Sequence, residues 1–187
     1  IAGKVLAEKT LPVIPRPFHL PCVSTAEHIP LLRLPCTVSG PFSPDALKEA
    51  EGRFASHGMT EGKRRDFNSR YFEFDGAFAS ADAAGVFVST DVNFPADRKV
   101  KLFPVSTDGV KLWIDGNLVL SHHEHGEFLP APHRPGSPLV ELEMKKGWHR
   151  VLLELIRCGE EIEFAWIVAD EKNHLVTDLE YAAPEKI

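Results

Sequence analysis

The chain has 187 residues, 43% of them hydrophobic, with 21 Lys and Arg against 27 Asp and Glu and a formal net charge of −6. That length fits one domain or one domain with an extension, and that apolar share supplies a core, which excludes a largely disordered chain. The acidic balance excludes nucleic acid or an acidic membrane surface as a charge-driven partner, and no apolar stretch is long enough to span a bilayer.

The first residue is Ile1, and no basic region followed by an apolar one opens the chain. The expectation is a segment of a larger protein, with a processed secreted protein as the alternative. Cysteines occur at 22, 36 and 158 without CxxC spacing, so free buried thiols are expected rather than a disulfide framework or a zinc site. This usage leans toward a reducing, cytoplasmic compartment over a secreted one.

Residues 1–42 hold seven prolines, which deny this segment a long helix or a central strand. Apolar residues persist between them, so an extended arm lying on a surface is predicted. Ser43-Pro44-Asp45 opens a helix: Ser43 is a capping type, Pro44 suits the first helical position and Asp45 complements the dipole. Leu47, Ala50 and Phe54 follow at helical spacing, and Gly58 ends it. Residues 60–69 read as a polar loop, with Lys63-Arg64-Arg65 in a solvated turn.

From Arg70 the hydrophobic period changes to two. Strands are predicted near 70–78, 84–90, 98–106, 109–115, 117–121, 138–144, 149–157, 161–169 and 173–178. Many short strands separated by Gly, Asp and Pro turns predict an all-β sandwich over 70–187. Tyr71, Phe72, Phe74, Phe78, Phe87 and Phe94 supply bulk for its core, and Phe164-Ala165-Trp166-Ile167-Val168 reads as a buried central strand.

The most informative stretch is 107–120. Val110, Leu112 and Ile114 alternate with Lys111, Trp113 and Asp115, and Asp115-Gly116 then leads into Leu118-Val119-Leu120. Asp-Gly between apolar runs is a strong hairpin signal, because a type I′ turn needs the positive φ that Gly adopts readily. Lys145-Lys146-Gly147-Trp148-His149-Arg150 repeats the design, a Gly turn opening a strand. Between them lies a long irregular piece, 121–137, which holds His122, His123, Glu124, His125 and His133. Loops of that length are commonly functional.

Trp113-Ile114-Asp115-Gly116 together with Lys146-Gly147-Trp148-His149-Arg150 resembles the core of galactose-binding-like jelly-roll domains. These are accessory domains of glycoside hydrolases, found in β-galactosidase and β-glucuronidase relatives and in α-L-rhamnosidase-like enzymes. The resemblance covers roughly residues 65–170. It implies a jelly-roll β-sandwich that contacts glycan or braces a catalytic domain, without catalysis of its own and without a cofactor. The implied partners are carbohydrate or neighbouring domains of a parent protein, with no nucleic acid and no membrane.

Sugar sites stack an aromatic ring on the apolar face of the ligand and fix its hydroxyls with polar side chains. The candidate ligand-binding residues are therefore Trp113 and Trp148, with His123, His125, Phe128 and Arg134 from the long loop. Two rival readings stand beside this one. The histidines of 122–133 are ligand types for a metal-dependent enzyme, but they match neither H-E-x-x-H nor a His-x-His pair with a glutamate at the right distance, so no metal ligand is assigned. No G-x-S-x-G elbow, Gly-rich phosphate loop or singled-out acid pair marks a catalytic residue. The other rival is a structural protein-interaction module without a ligand.

Overall fold

In a computed structural model of the chain, the described residues are 33–59, 61–67, 71–72, 74, 84–124, 138–157 and 164–184. The chain divides into residues 1–30 and residues 31–187. The expected proline-rich arm, apart from its last ten residues, lies outside the described residues.

The fold is an all-β sandwich of two antiparallel sheets with one helix. Its strands are β1 (Leu34–Phe42), β2 (Lys63–Phe67), β3 (Tyr71–Phe72), β4 (Gly85–Phe94), β5 (Arg98–Ser106), β6 (Gly109–Ile114), β7 (Asn117–His122), β8 (Val140–Met144), β9 (Gly147–Ile156), β10 (Phe164–Ala169) and β11 (Glu180–Ala182). The larger sheet runs β2-β1-β4-β9-β6-β7, and β11 pairs with the end of β4 at Asp91–Asn93. The smaller sheet runs β3-β10-β5-β8.

Alternation places the core between the sheets. Val86, Val88, Val92 and Phe94 of β4 face inward with Val110, Leu112 and Ile114 of β6 and Val151, Leu153 and Leu155 of β9. They meet Val100 and Leu102 of β5 and Phe164, Trp166 and Val168 of β10. β10 is buried along its whole length between β3 and β5, as its unbroken apolar run predicts.

The helix α1 (Pro44–His57) packs on the outer face of the larger sheet. Leu47, Ala50 and Phe54 meet Phe87, Trp113 and Leu152, and the Phe54 and Phe87 rings lie edge to face at 5.1 Å. Pro44 opens the helix and Gly58 (φ 74°) closes it, donating its N–H to the Phe54 carbonyl at 2.9 Å. Ser43 occupies the N-cap without a side-chain capping bond.

The structure differs from three sequence expectations. Residues 34–42 form β1 inside the sheet despite Pro35 and Pro41. Pro35 precedes Thr37, where pairing with β4 begins, and Pro41 falls in the register irregularity between Ser39 and Phe42. Neither proline therefore removes a regular bond of the β1–β4 ladder. Lys63-Arg64-Arg65 lies in the edge strand β2, not in a turn; charged residues there deter further pairing. The strand expected at 173–178 is a single bridge, Ala169–Leu175. Asp170 Oδ1 accepts the N–H groups of Lys172 and His174, each at 2.8 Å, and Asn173 has φ 64°, so turn chemistry prevails there.

Cys36 is a free thiol buried in the core of the sandwich, and burial pushes its pKa up to about 12. It is a packing residue rather than a nucleophile. Cys22 and Cys158 lie outside the described residues.

The β6–β7 hairpin turns at Asp115 (φ 50°) and Gly116 (φ 79°), the two positive values that a type I′ turn requires. A Cβ at Gly116 would meet only the Ala55 carbonyl oxygen at 3.6 Å, so a side chain fits and the penalty is conformational. Gly116→Val is expected to cost on the order of 1–3 kcal/mol, read as a lower melting temperature. An unchanged melting curve would contradict the hairpin.

Candidate functional site

A cleft of about 450 Å³ opens on the outer face of the larger sheet, beside the C-terminal end of α1. Its position follows from the sequence. Gly58 stops the helix, so the strands beyond it are left uncovered at the end where the β6–β7 turn and the start of β9 meet. Trp113 and Leu152 form an apolar floor, Phe54 to Met59 one wall, and Trp148, Arg150 and the Asp115-Gly116 turn the other.

Because β9 alternates, Trp148, Arg150, Leu152 and Glu154 share this face while Val151, Leu153 and Leu155 enter the core. Trp148 is 54% exposed and Trp113 only 4%. Trp113 is thus packed beneath α1 and offers no open platform. The exposed aromatic is Trp148.

The polar groups are tightly organised. Arg150 donates from Nε and Nη2 to the two carboxylate oxygens of Asp91, at 2.7 and 3.0 Å. Arg150 lies opposite Asp91 in the β4–β9 register, which brings the pair together. Asp115 Oδ1 accepts the Arg150 backbone N–H at 2.8 Å, and its Oδ2 accepts from His149 Nδ1 at 2.7 Å. His149 Nε2 donates to the Lys145 carbonyl at 2.8 Å. Both partners of the imidazole are acceptors, an arrangement that favours the doubly protonated ring.

Burial disfavours that charge, but the hydrogen bonds to Asp115 and to the Lys145 carbonyl outweigh it and hold His149 above the usual histidine range. The sign follows from linkage. A raised folded value means that the native state binds the proton more tightly, so the stabilisation is full below about pH 6.5 and is lost as pH rises through the folded value. The melting-temperature advantage of wild type over His149→Gln is therefore expected to be largest below pH 6.5, on the order of 1–2 kcal/mol, and to shrink toward pH 9. A constant difference across that range would show that the ring is not cationic in the fold.

Behind the cleft, Lys111 bridges the helix and the sheet. Its Nζ lies 2.7 Å from Glu51 Oε1 and 3.1 Å from Glu154 Oε2. Glu154 is 1% exposed, and its Oε2 makes this ion-pair contact at an angle that is not a hydrogen bond. Burial raises the Glu154 pKa and Lys111 offsets part of that rise.

The structure separates the residues grouped by sequence. Trp113 and Trp148 line the cleft. His123 does not: it follows β7, whose last residue pairs with Val110 while its first pairs with Ile114 at the turn end. Six residues of strand place the start of the long loop about 20 Å from the Asp115-Gly116 turn. His123 lies instead against Ser121, its Nε2 3.0 Å from the hydroxyl. His125, Phe128 and Arg134 lie outside the described residues. Among the described residues no group of three or more His, Cys, Asp or Glu side chains is placed to hold a metal ion, and no helix is long and apolar enough to cross a membrane.

Asp91, Asp115, His149 and Arg150 are not among the ligand residues that the sequence suggests. The available signal was that the two resembling motifs carry complementary groups, an aspartate in one and His-Arg in the other.

No protein-family model matches the chain, and no curated protein does. Solved structures do, at low identity, and they include glycoside hydrolase chains and PA14 domains. An anti-sigma factor domain-containing protein is similar at 13% identity and a TM-score of 0.50, over 77% of this chain and 45% of that one. The PA14 sugar-binding domain from an RTX adhesin is similar at 12% identity and a TM-score of 0.47, over 79% of this chain and 94% of that domain. The β-glucosidase from Kluyveromyces marxianus, in complex with glucose, is similar at 16% identity and a TM-score of 0.43, over 73% of this chain. The chain spans 15% of that enzyme's length and 45% of the anti-sigma factor protein's. At these identities the likeness concerns the fold alone.

Proposed function

We propose that this sandwich is a non-catalytic carbohydrate-contacting domain of a larger glycan-active protein, and that it contacts sugar through the cleft at Trp148. The observation that carries the reading is the cleft itself. An exposed indole stands beside a fixed Asp91–Arg150 pair over an apolar floor, within a concave site of ligand size. A sugar ring needs both elements, an apolar face to stack on and paired donors and acceptors for its hydroxyls. The motif resemblance to galactose-binding-like accessory domains supports the same reading. Bracing a neighbouring domain is compatible with the fold, and the exposed Leu118 on the edge strand β7 offers a contact for it.

The described carboxylates that line the cleft, Asp91 and Asp115, are paired with Arg150 and His149, which supports the non-catalytic reading. A glycan array probed with the purified chain tests the proposal, with aryl glycosides assayed in parallel. Binding without turnover is expected. Turnover that disappears on replacing one carboxylate would overturn the non-catalytic part, and no binding to any glycan would overturn the carbohydrate part.

A further inference from the structure

The guanidinium of Arg150 carries more N–H donors than Asp91 uses. The bonds to Asp91 run from Nε and Nη2, so that carboxylate lies along one flank of the planar group. The edge between Nη1 and Nη2 points away from it and offers two parallel N–H groups. No described residue accepts a hydrogen bond from this edge. Nη1 lies 3.6 Å from where a Cβ on Gly58 would be, and glycine has no side chain to supply an acceptor there. Arg150 and Gly58 both line the cleft, so the edge belongs to the site.

A carboxylate fits such an edge. Its two oxygens meet two parallel N–H groups at once, and charge-assisted bonds of this kind are roughly twice as strong as neutral ones. Asp91 holds the guanidinium in place before any ligand arrives, which lowers the ordering cost of binding. Asp91 also offsets the charge of Arg150, and the C-terminal end of α1 at Gly58 disfavours an anion. A bare anion drawn by charge alone is therefore a poor ligand. The carboxylate needs a second anchor, and the exposed indole of Trp148 supplies it. Trp148 and Arg150 stand two residues apart on the same face of β9, about 7 Å along the strand. A pyranose ring lying on the indole can carry a ring-bound carboxylate across that distance.

We propose that the cleft takes an acidic sugar, whose ring lies on Trp148 and whose carboxylate is held by the Nη1–Nη2 edge of Arg150. This rests on the carbohydrate reading above and adds the ligand's charge and the group that recognises it.

The test uses the full chain and calorimetric titration with the methyl glycosides of glucuronic, galacturonic and N-acetylneuraminic acids. Each is compared with its own methyl ester, which keeps the ring and removes the charge, and the two uronates also with the glucosides and galactosides they match. At least one acid is expected to bind saturably, and its ester about tenfold or more weakly, because a site built to pair a group rejects the analogue lacking it. Which acid it is tells a carboxylate at the far end of the ring from one on the anomeric carbon. Acetate alone is expected neither to bind nor to compete. Varying the ligand keeps the result independent of any variant's folding. Arg150→Lys keeps the positive charge and lacks the paired N–H edge, so where it folds it should lose the preference for acid over ester.

Esters or neutral glycosides that bind as tightly as the acids overturn this proposal while leaving the carbohydrate reading intact. A preference for the acid that survives in folded Arg150→Lys overturns the assignment to the guanidinium edge in the same way. Acetate that competes as well as the sugar acid overturns the need for the ring on Trp148. If none of these sugars binds, the carbohydrate reading itself falls, and this proposal with it.

Discussion

Lys111→Met is expected to destabilise the fold by about 3 kcal/mol or more, the range found when one partner of a buried ion pair is removed. Lys111 is the cation between Glu51 on α1 and Glu154 on β9. Removing it leaves Glu154, 1% exposed, without compensation. The variant can escape part of the cost only by protonating that carboxyl. Burial already raises the folded pKa of Glu154, and losing Lys111 raises it further. A raised folded value contributes stability that is full below the unfolded value, near pH 4.3, and is lost as pH rises through the folded value. Chemical denaturation should therefore show a smaller deficit for Lys111→Met at pH 5 than at pH 8. Adding Glu154→Gln should recover part of the deficit at pH 8. A deficit that does not vary with pH, or that the second substitution leaves untouched, would contradict a charged Glu154 beneath the helix.

Trp148→Ala is expected to weaken glycan binding about thirtyfold or more while leaving the melting temperature within a degree or two. The magnitude is that of an aromatic anchor, about 2 kcal/mol. The small effect on stability follows from exposure: at 54% exposed, Trp148 loses little burial when truncated. Trp113 and Trp166 are buried at 4% and 2%, so Trp148 is the tryptophan that external quenchers reach. Iodide quenching should vanish in the variant, and a bound glycan should protect wild type from it. Trp113→Ala is expected to behave differently. It removes the centre of the helix–sheet cluster, so it lowers stability first and affects binding only through the floor of the cleft.

Much of the sandwich was legible in the sequence because its strands alternate against water on one side and the core on the other. Val110, Leu112 and Ile114 predicted β6 and its inward face, and Asp115-Gly116 predicted the turn. Ser43-Pro44 and Gly58 bracketed α1 to within a residue. β1 and β2 were not legible. Pro35 and Pro41 speak against a strand unless the neighbouring register is known, and Lys63-Arg64-Arg65-Asp66-Phe67 pairs on one side only and shows no apolar alternation. The site was half legible for a related reason. Trp113 and Trp148 can be picked out as large aromatics, but what distinguishes them is the helix that covers one and stops short of the other. Asp91 and Arg150 are 59 residues apart and meet only through the β4–β9 register, which no local pattern encodes. The histidine-rich loop drew attention by composition, yet β7 carries its first residues away from the cleft.

The cleft and the loop can be set against each other directly. Three proteins would be titrated with the glycan that wild type binds best: wild type, Trp148→Ala, and a form in which residues 123–133 are replaced by a short Gly-Ser linker. The account predicts that the loop replacement binds as wild type does and that Trp148→Ala loses binding while keeping its fold. Retained affinity in Trp148→Ala together with lost affinity in the loop replacement would contradict it, and would place the ligand at the other end of the sheet.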